Sequence, residues 1–255
     1  MRPRSIHGGR HELGQNFLIH QPTIDRLVAL VADTTGSVLE IGAGDGALTR
    51  RLATLPRDLT ALEIDETRVR GLRRRLPGVR IVRADALGHP LDADVVVGNL
   101  PFHLTTPLLR HLLAARRWTD AVLLTQWEVA RKRAGVGGAT LMTAQAAPWF
   151  AFALHGRVPA RGFRPVPGVD GGILTISRRA TPLIPIRERR GYERFVRSAF
   201  TGQGRGMAEI LRRATGADGR SARRALAACG IDAARLPRDL QPEDWAALWR
   251  EVSRR

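Results

Sequence analysis

Asn99-Leu100-Pro101-Phe102 follows the apolar run Val95-Val96-Val97, which places it where a buried strand should give way to a loop. In open α/β sheets, ligands bind outside the carboxyl ends of such strands. The Asn99 side chain offers a carbonyl acceptor. Pro101, with its fixed φ and no N–H, orients the Leu100 carbonyl as a second acceptor. Phe102 adds an aromatic face. Two acceptors beside an aromatic plate suit a planar base with an exocyclic amino group. Asn and Pro are also common turn formers, so the tetrapeptide alone fits a plain strand-to-loop turn equally well.

Its neighbours narrow the choice. Val38-Leu39-Glu40-Ile41 is a short apolar strand that runs into Gly42-Ala43-Gly44-Asp45-Gly46, and Ala47 to Ala53 reads as the helix opening next. Glycines let a backbone turn tightly and approach a ligand closely. Leu59 to Leu62 is a second strand, ending at Glu63, an acid placed to hold two ribose hydroxyls. Val79 to Val82 is a third, ending near Asp85, which is placed to accept from an adenine amino group. Each acid alone also fits a surface or capping role. Successive strand ends carrying Gly, Glu, Asp and Asn fit one ligand better than separate coincidences. A nicotinamide dehydrogenase has no need of the Asn99 corner, and no hydride-transfer constellation is evident. S-adenosylmethionine fits better: adenine at Asp85, ribose at Glu63, methionine tail over Gly42 to Gly46, methyl facing Asn99.

These residues need a frame. Strands near 37–41, 59–63, 79–83 and 93–98 alternate with helices near 46–54, 66–76 and 106–114, and 120–126 is a fifth strand. A helix over 23–32 precedes them, with Ile24, Leu27, Val28, Leu30 and Val31 on its apolar side. A helix over 141–147 and a strand pair at 150–158 and 172–176 follow. The alternation predicts an α/β fold, a Rossmann-like parallel sheet with helices on both faces. Past a hinge at 178–185, four short helices separated by glycine or proline predict a small all-α domain. The expected division is a catalytic domain over 1–178, with a basic arm at 1–20, and a helical domain over 179–255.

The ordered motifs resemble those of the rRNA adenine N6-methyltransferases. Gly14-Gln15-Asn16-Phe17-Leu18, Glu40 to Gly46, Leu62-Glu63-Ile64-Asp65, Asp85-Ala86-Leu87, Asn99 to Phe102 and Phe163 to Asp170 carry the likeness. Arg10 to Leu18 and Gln126 to Arg133 resemble the erythromycin-resistance (Erm) branch, which modifies large-subunit rRNA, more than the small-subunit dimethylases. The resemblance implies an S-adenosylmethionine-dependent methyltransferase sheet. It implies that Asn16 and Leu18 lie against the cofactor, with Ile64 and Ala86 beside the two acids. It nominates Phe163 as a second wall for a flipped base, Phe102 being the first; a core aromatic closing the sheet is the competing reading. Phe102 stands where many members carry Tyr, which keeps stacking and removes a phenolic hydroxyl.

Composition agrees. Lys+Arg is 41 against 24 Asp+Glu, a net +17 that points to a polyanionic partner. Residues 179–255 hold 17 basic and 9 acidic side chains, which makes them about twice as basic per residue as the rest. Arg10, Arg131, Lys132, Arg133, Arg161 and Arg164 flank the expected site and are candidates for RNA phosphates, which position without specifying sequence. Arg73-Arg74-Arg75 reads instead as a solvated helix face. Trp127 and Trp149 offer rings for stacking, though core roles are commoner for Trp at strand–helix junctions. Cys229 is the only cysteine, so no intrachain disulfide forms and a reducing, cytoplasmic setting is expected. No run approaches a membrane span or a secretory apolar segment. His7 and His11 lack partners for a metal set, and neither a metal nor an oligomer is expected.

The expected reaction is direct methyl transfer to adenine N6 in the peptidyl transferase loop of 23S rRNA, giving macrolide-lincosamide-streptogramin B resistance. Asn99 and Leu100 would accept from N6–H and stabilise the charge that develops there. Small-subunit rRNA and DNA adenine are the alternatives within the enzyme class. Outside it stands a nucleic-acid-binding protein on a retired methylase scaffold. The intact set of Gly42, Gly44, Gly46, Glu63, Asp85 and Asn99 argues against that last reading.

Overall fold

The computed structural model describes residues 16–253. Its strands are β1 (Phe17–Leu18), β2 (Val38–Ile41), β3 (Leu59–Glu63), β4 (Arg80–Arg83), β5 (Val95–Asn99), β6 (Asp120–Gln126), β7 (Phe150–Val158), β8 (Phe163–Arg164) and β9 (Gly171–Arg178). The α-helices are α1 (Gln21–Ala32), α2 (Ala47–Leu52), α3 (Glu66–Arg75), α4 (Thr105–Ala114), α5 (Trp127–Arg133), α6 (Leu141–Ala146), α7 (Arg189–Thr201), α8 (Met207–Thr215), α9 (Gly219–Ala228) and α10 (Pro242–Ser253).

Every position of β2 is buried, Glu40 included, as expected of a parallel strand covered on both faces. The main sheet has the order β4-β3-β2-β5-β6-β9-β7. Pairing is parallel from β4 through β6, and β9 runs antiparallel to β6. The chain steps outward from β2 to β3 and β4, then returns to β5 on the other side of β2. That reversal opens a crevice at the carboxyl ends of β2 and β5. On one face α1 buries Ile24, Leu27 and Val31, spaced for a single helical stripe, against Val38, Val95, Val97 and Val122. On another, α3 contributes only Val69 and Leu72, which pack with Ala43, Ala61 and Ile81. Its last-turn arginines Arg74 and Arg75 are exposed, as a solvated face requires.

Contacts divide the chain into two compact units, residues 16–130 with Ala153–Ser177, and Arg131–Phe152 with residues 178–253. Arg131–Phe152 thus groups with the C-terminal helices. The reason is visible within the second unit. The Tyr192 hydroxyl donates to the Ala144 carbonyl at 2.8 Å, and Gln145 Nε2 donates to the Glu193 carbonyl at 2.8 Å. The Trp149 ring meets Tyr192 edge-on at 5.6 Å, and Phe195 meets Trp245 at 6.0 Å. Trp149 is 2% exposed and so belongs to this core.

Three elements escape the sequence reading: helix α5 and the two-residue strands β1 and β8, which pair antiparallel as Phe17↔Arg164 and Leu18↔Phe163. The crevice also depends on one close backbone approach. A Cβ on Gly98 would lie 2.5 Å from the Ile41 carbonyl oxygen, and neither strand has a flexible atom to yield. Gly98→Ala is therefore expected to cost about 1–3 kcal/mol and to lower Tm by several degrees. An unchanged melting curve would show that β2 and β5 part without penalty.

Candidate active site

A cavity of about 420 Å3 opens at the carboxyl ends of β2, β3 and β5, and its size suits a small-molecule ligand. Asn16, Leu18, Gly42, Gly44, Glu63, Ile64, Asp85, Ala86 and the whole corner from Asn99 to Phe102 line it. Gly46 is the predicted cofactor residue that does not line it. Its N–H donates to the Ala43 carbonyl at 2.8 Å, and a Cβ there would meet Leu72 Cδ2 at 2.7 Å. Gly46 shapes the turn and does not touch the cavity.

The glycine turn is held from β3. Gly44 has φ 55°, and a Cβ on it would press on the Phe17 ring at 3.1 Å. Its N–H donates to Glu63 Oε2 at 2.7 Å, while Asp65 N–H donates to Glu63 Oε1 at 2.9 Å. Each carboxylate oxygen thus carries one backbone donor and keeps a lone pair for a further one. Asp85 Oδ1 accepts the Leu87 N–H at 2.9 Å, which fixes the carboxylate and leaves Oδ2 available. Phe17 covers the turn, with the Arg68 guanidinium 4.5 Å from its ring centroid and Arg68 Nε donating to Asp45 Oδ1 at 3.2 Å.

At the corner, Asn99 Nδ2 donates to the Asn16 carbonyl at 2.7 Å. Asn99 Oδ1 is buried and has no hydrogen-bond partner among the described residues. A backbone carbonyl only accepts, so it fixes the amide's orientation and leaves the unpaired acceptor on a residue that lines the cavity. Leu100 follows, its N–H donating to the Leu124 carbonyl at 2.9 Å. Phe102 is half-buried on the wall. Phe163 is not on the wall: it is fully buried in the main core, 5.9 Å edge-on from Phe102 at 69°. The structure corrects its expected role: the ring packs in the core, the competing reading, and does not line the cavity that Phe102 lines. It braces Phe102 instead.

Sequence reasoning missed Glu40. It is 2% exposed, lines the cavity floor, and its Oε2 has no partner among the described residues. Burial pushes its carboxyl up to about 7; the Thr49 hydroxyl opposes this and the nearby Glu63 charge adds to it. The available signal was an acid inside the apolar strand Val38-Leu39-Glu40-Ile41 directly before the glycine turn.

The predicted RNA-facing cations fall into both units. Arg161 and Arg164 are exposed on either side of buried Phe163. In the other unit Lys132 is exposed, Arg131 Nη1 donates to the Val136 carbonyl at 3.3 Å, and Arg133 Nη1 donates to Thr140 Oγ1 at 2.6 Å. Arg10, His7 and His11 lie outside the described residues. Among the described residues no three His, Cys, Asp or Glu side chains cluster as a metal site would need, and no helix is long and apolar enough to cross a membrane.

The sheet order and the acid-lined cleft at its switch point define a Rossmann-like methyltransferase fold. The model of the family described as ribosomal RNA adenine dimethylase matches residues 6–253, and the chain belongs to that family. It is 51% identical over 247 residues to the mycinamicin-resistance protein MyrB of Micromonospora griseorubida, covering 95% of this chain and 79% of that one. It is 52% identical over 209 residues to an rRNA adenine N-6-methyltransferase of Corynebacterium diphtheriae, covering 80% and 83%. Among solved structures it superposes on the 23S rRNA methyltransferase ErmE with a TM-score of 0.84 at 33% identity, covering 93% of this chain and 100% of that one.

Glu40 gives the unliganded protein a specific pH response. Its folded pKa lies above the unfolded value, so its stabilising share is fully present below about 4.5 and is lost as pH rises through about 7. The whole loss is on the order of 3 kcal/mol. Thermal unfolding between pH 5 and 8 should show wild-type Tm falling more steeply than that of Glu40→Gln. Parallel curves would exclude a buried, titrating Glu40.

Proposed function

We propose that this protein transfers a methyl group from S-adenosylmethionine to N6 of one adenine in the peptidyl transferase loop of 23S rRNA. Macrolide-lincosamide-streptogramin B resistance is the consequence. The single observation that carries the reading is the buried Asn99 Oδ1, an acceptor without a partner among the described residues, on a residue that lines one cavity with Leu100 and Phe102. The resistance and N6-methyltransferase names of relatives at about half identity favour the large subunit.

The cavity suits the cofactor by its donor set. Asp85 Oδ2 would take the adenine amino group, the spare lone pairs of Glu63 the ribose hydroxyls, and the Gly42–Gly44 backbone the methionine tail. Glu40, whose Oε2 has no partner among the described residues, would take the tail's ammonium, whose charge favours the ionised carboxylate. When bound, S-adenosylmethionine supplies an electrophilic methyl group on its sulfonium.

Adenine N6 is a weak nucleophile because its lone pair is delocalised into the ring. Asn99 Oδ1 and the Leu100 carbonyl accept from N6–H, favour a more tetrahedral nitrogen and stabilise its developing positive charge. Phe102 stacks on the extruded base, and Phe163 behind it fixes the angle of that ring. Alignment of the base supplies much of the remaining acceleration. No side chain need act as a strong base, since N6 becomes acidic once methylated. The arginine excess, which is densest over residues 179–255 of the sequence, contributes sequence-independent and salt-sensitive affinity. The setting is the cytoplasm, with the protein acting as a monomer.

Methyl transfer to protein-free large- and small-subunit rRNA, side by side with the modified base mapped, tests this directly. One labelled adenine in the large-subunit loop is the expected result; label on small-subunit RNA alone would reassign the substrate. Asn99→Ala should lower turnover at least 100-fold while cofactor affinity, measured by calorimetry, changes less than about threefold. Asp85→Ala should reverse that pattern, weakening cofactor binding by about tenfold. Full activity in Asn99→Ala would remove the acceptor role.

A further inference from the structure

A second cavity of about 380 Å3 lies in the sheet unit, bordered by Gln126, Trp127, Glu128, Arg157, Val169 and Asp170 among others. Its position follows from register. Asn99 of β5 pairs with Leu124 of the parallel neighbour β6, so Gln126 stands two residues further along, roughly 7 Å past the corner, and Trp127 follows it directly. Both cavities therefore open at the same end of the sheet.

The wall of this cavity is rigid. Trp127 N–H donates to the Asp170 carbonyl at 2.8 Å, and a Cβ on Gly172 would meet Trp127 Cε3 at 3.2 Å, so the ring rests on bare backbone. The Arg157 guanidinium lies 5.5 Å from a Trp127 ring centroid. It is tethered there, because Arg157 Nε donates to Asp170 Oδ2 at 2.6 Å while Asp170 Oδ1 accepts the Ala160 N–H at 2.8 Å. Trp127 nevertheless remains only half-buried. The result is an indole with a fixed guanidinium plane, the two kinds of surface on which unpaired bases stack. Gln126 adds a side-chain amide with no hydrogen bond among the described residues, hence a donor and an acceptor for a base edge. The carboxylates of Glu128 and Asp170 make the cavity unsuited to phosphate and suited to a neutral heterocycle.

We infer that this cavity is a second nucleobase subsite, which holds an unpaired base flanking the target adenine in the RNA. The inference rests on the proposed reading of the first cavity as the adenine site. Trp127 and Arg157 supply stacking, and Gln126 supplies discrimination between bases.

The test measures Kd for an RNA hairpin with the target adenine in an unpaired loop, and for hairpins lacking the base at each flanking position. Wild type should lose about tenfold or more at one flank, whereas Trp127→Leu should bind intact and abasic hairpins within twofold of each other. Equal penalties in the two proteins would overturn the subsite. Should Trp127→Leu fail to fold, Gln126→Ala carries the test, since it leaves the ring and its support in place. It should equalise Kd among the four bases at that flank, and unchanged discrimination would overturn the proposal. Methyl transfer on the same hairpins separates the two readings. Coupling without transfer would sink the methyltransferase reading and leave the subsite; transfer without coupling would do the reverse.

Discussion

The 2.7 Å hydrogen bond from Asn99 Nδ2 to the Asn16 carbonyl decides which end of the amide is left without a partner among the described residues beside the main cavity. An amide free to rotate would offer a donor as readily as an acceptor, and the corner would have no chemical sense. Holding it one way leaves Oδ1 buried with no partner among the described residues, at a cost of about 1–3 kcal/mol in the unliganded fold. That cost persists only because the surrounding structure fixes Asn16. The fixing elements are slight: two residues of β1 paired with two of β8, continued by the Ile19 and His20 N–H groups donating to the Gly162 carbonyl at 2.9 and 3.2 Å. Phe163 anchors β8 by sitting fully buried in the core. A buried aromatic more than sixty residues along the chain thus holds the acceptor in place, by way of Asn16.

The two buried acids divide the electrostatic work. Glu63 has each oxygen engaged by a backbone N–H, so it is tied into the glycine turn whether or not a ligand is present. Glu40 has an oxygen with no partner among the described residues, and burial makes its ionisation costly. One acid organises the turn; the other needs an external cation or a proton to be satisfied. A cleft built in this way favours a ligand that carries positive charge at the glycine end and hydroxyls beside Glu63.

Much of this frame was legible in the sequence. The strands over 59–63, 120–126 and 150–158 stand where alternation placed them, because long apolar runs between turn residues leave little choice. The glycine turn, Glu63, Asp85 and the Asn99 corner were readable because each follows a strand end. What escaped has physical reasons. Strands β1 and β8 are two residues each and exist only through pairing across more than 140 residues, so neither has a period of its own. Helix α5 is short and strongly basic, with Ala130 its one buried residue, and so lacks an apolar stripe. The full burial of Phe163 and the half-burial of Trp127 are tertiary outcomes; both are aromatic residues beside loops, and only the fold separates them.

Charge and cavity answer different questions on the proposed reading. A net +17 attracts any polyanion, and its contribution carries no sequence information. Selection of adenine must come from the acceptor corner. A base with a carbonyl in place of the exocyclic amine would set oxygen against Asn99 Oδ1, leaving two desolvated acceptors opposed. Sites whose polar groups are left unpaired by the wrong substrate discriminate far more strongly than sites that merely lose a contact. The orphaned oxygen, costly in the unliganded fold, is therefore the source of selectivity: only a donor on the incoming base removes the penalty. The arginine surface then sets how tightly RNA is held, and the corner sets which base reacts.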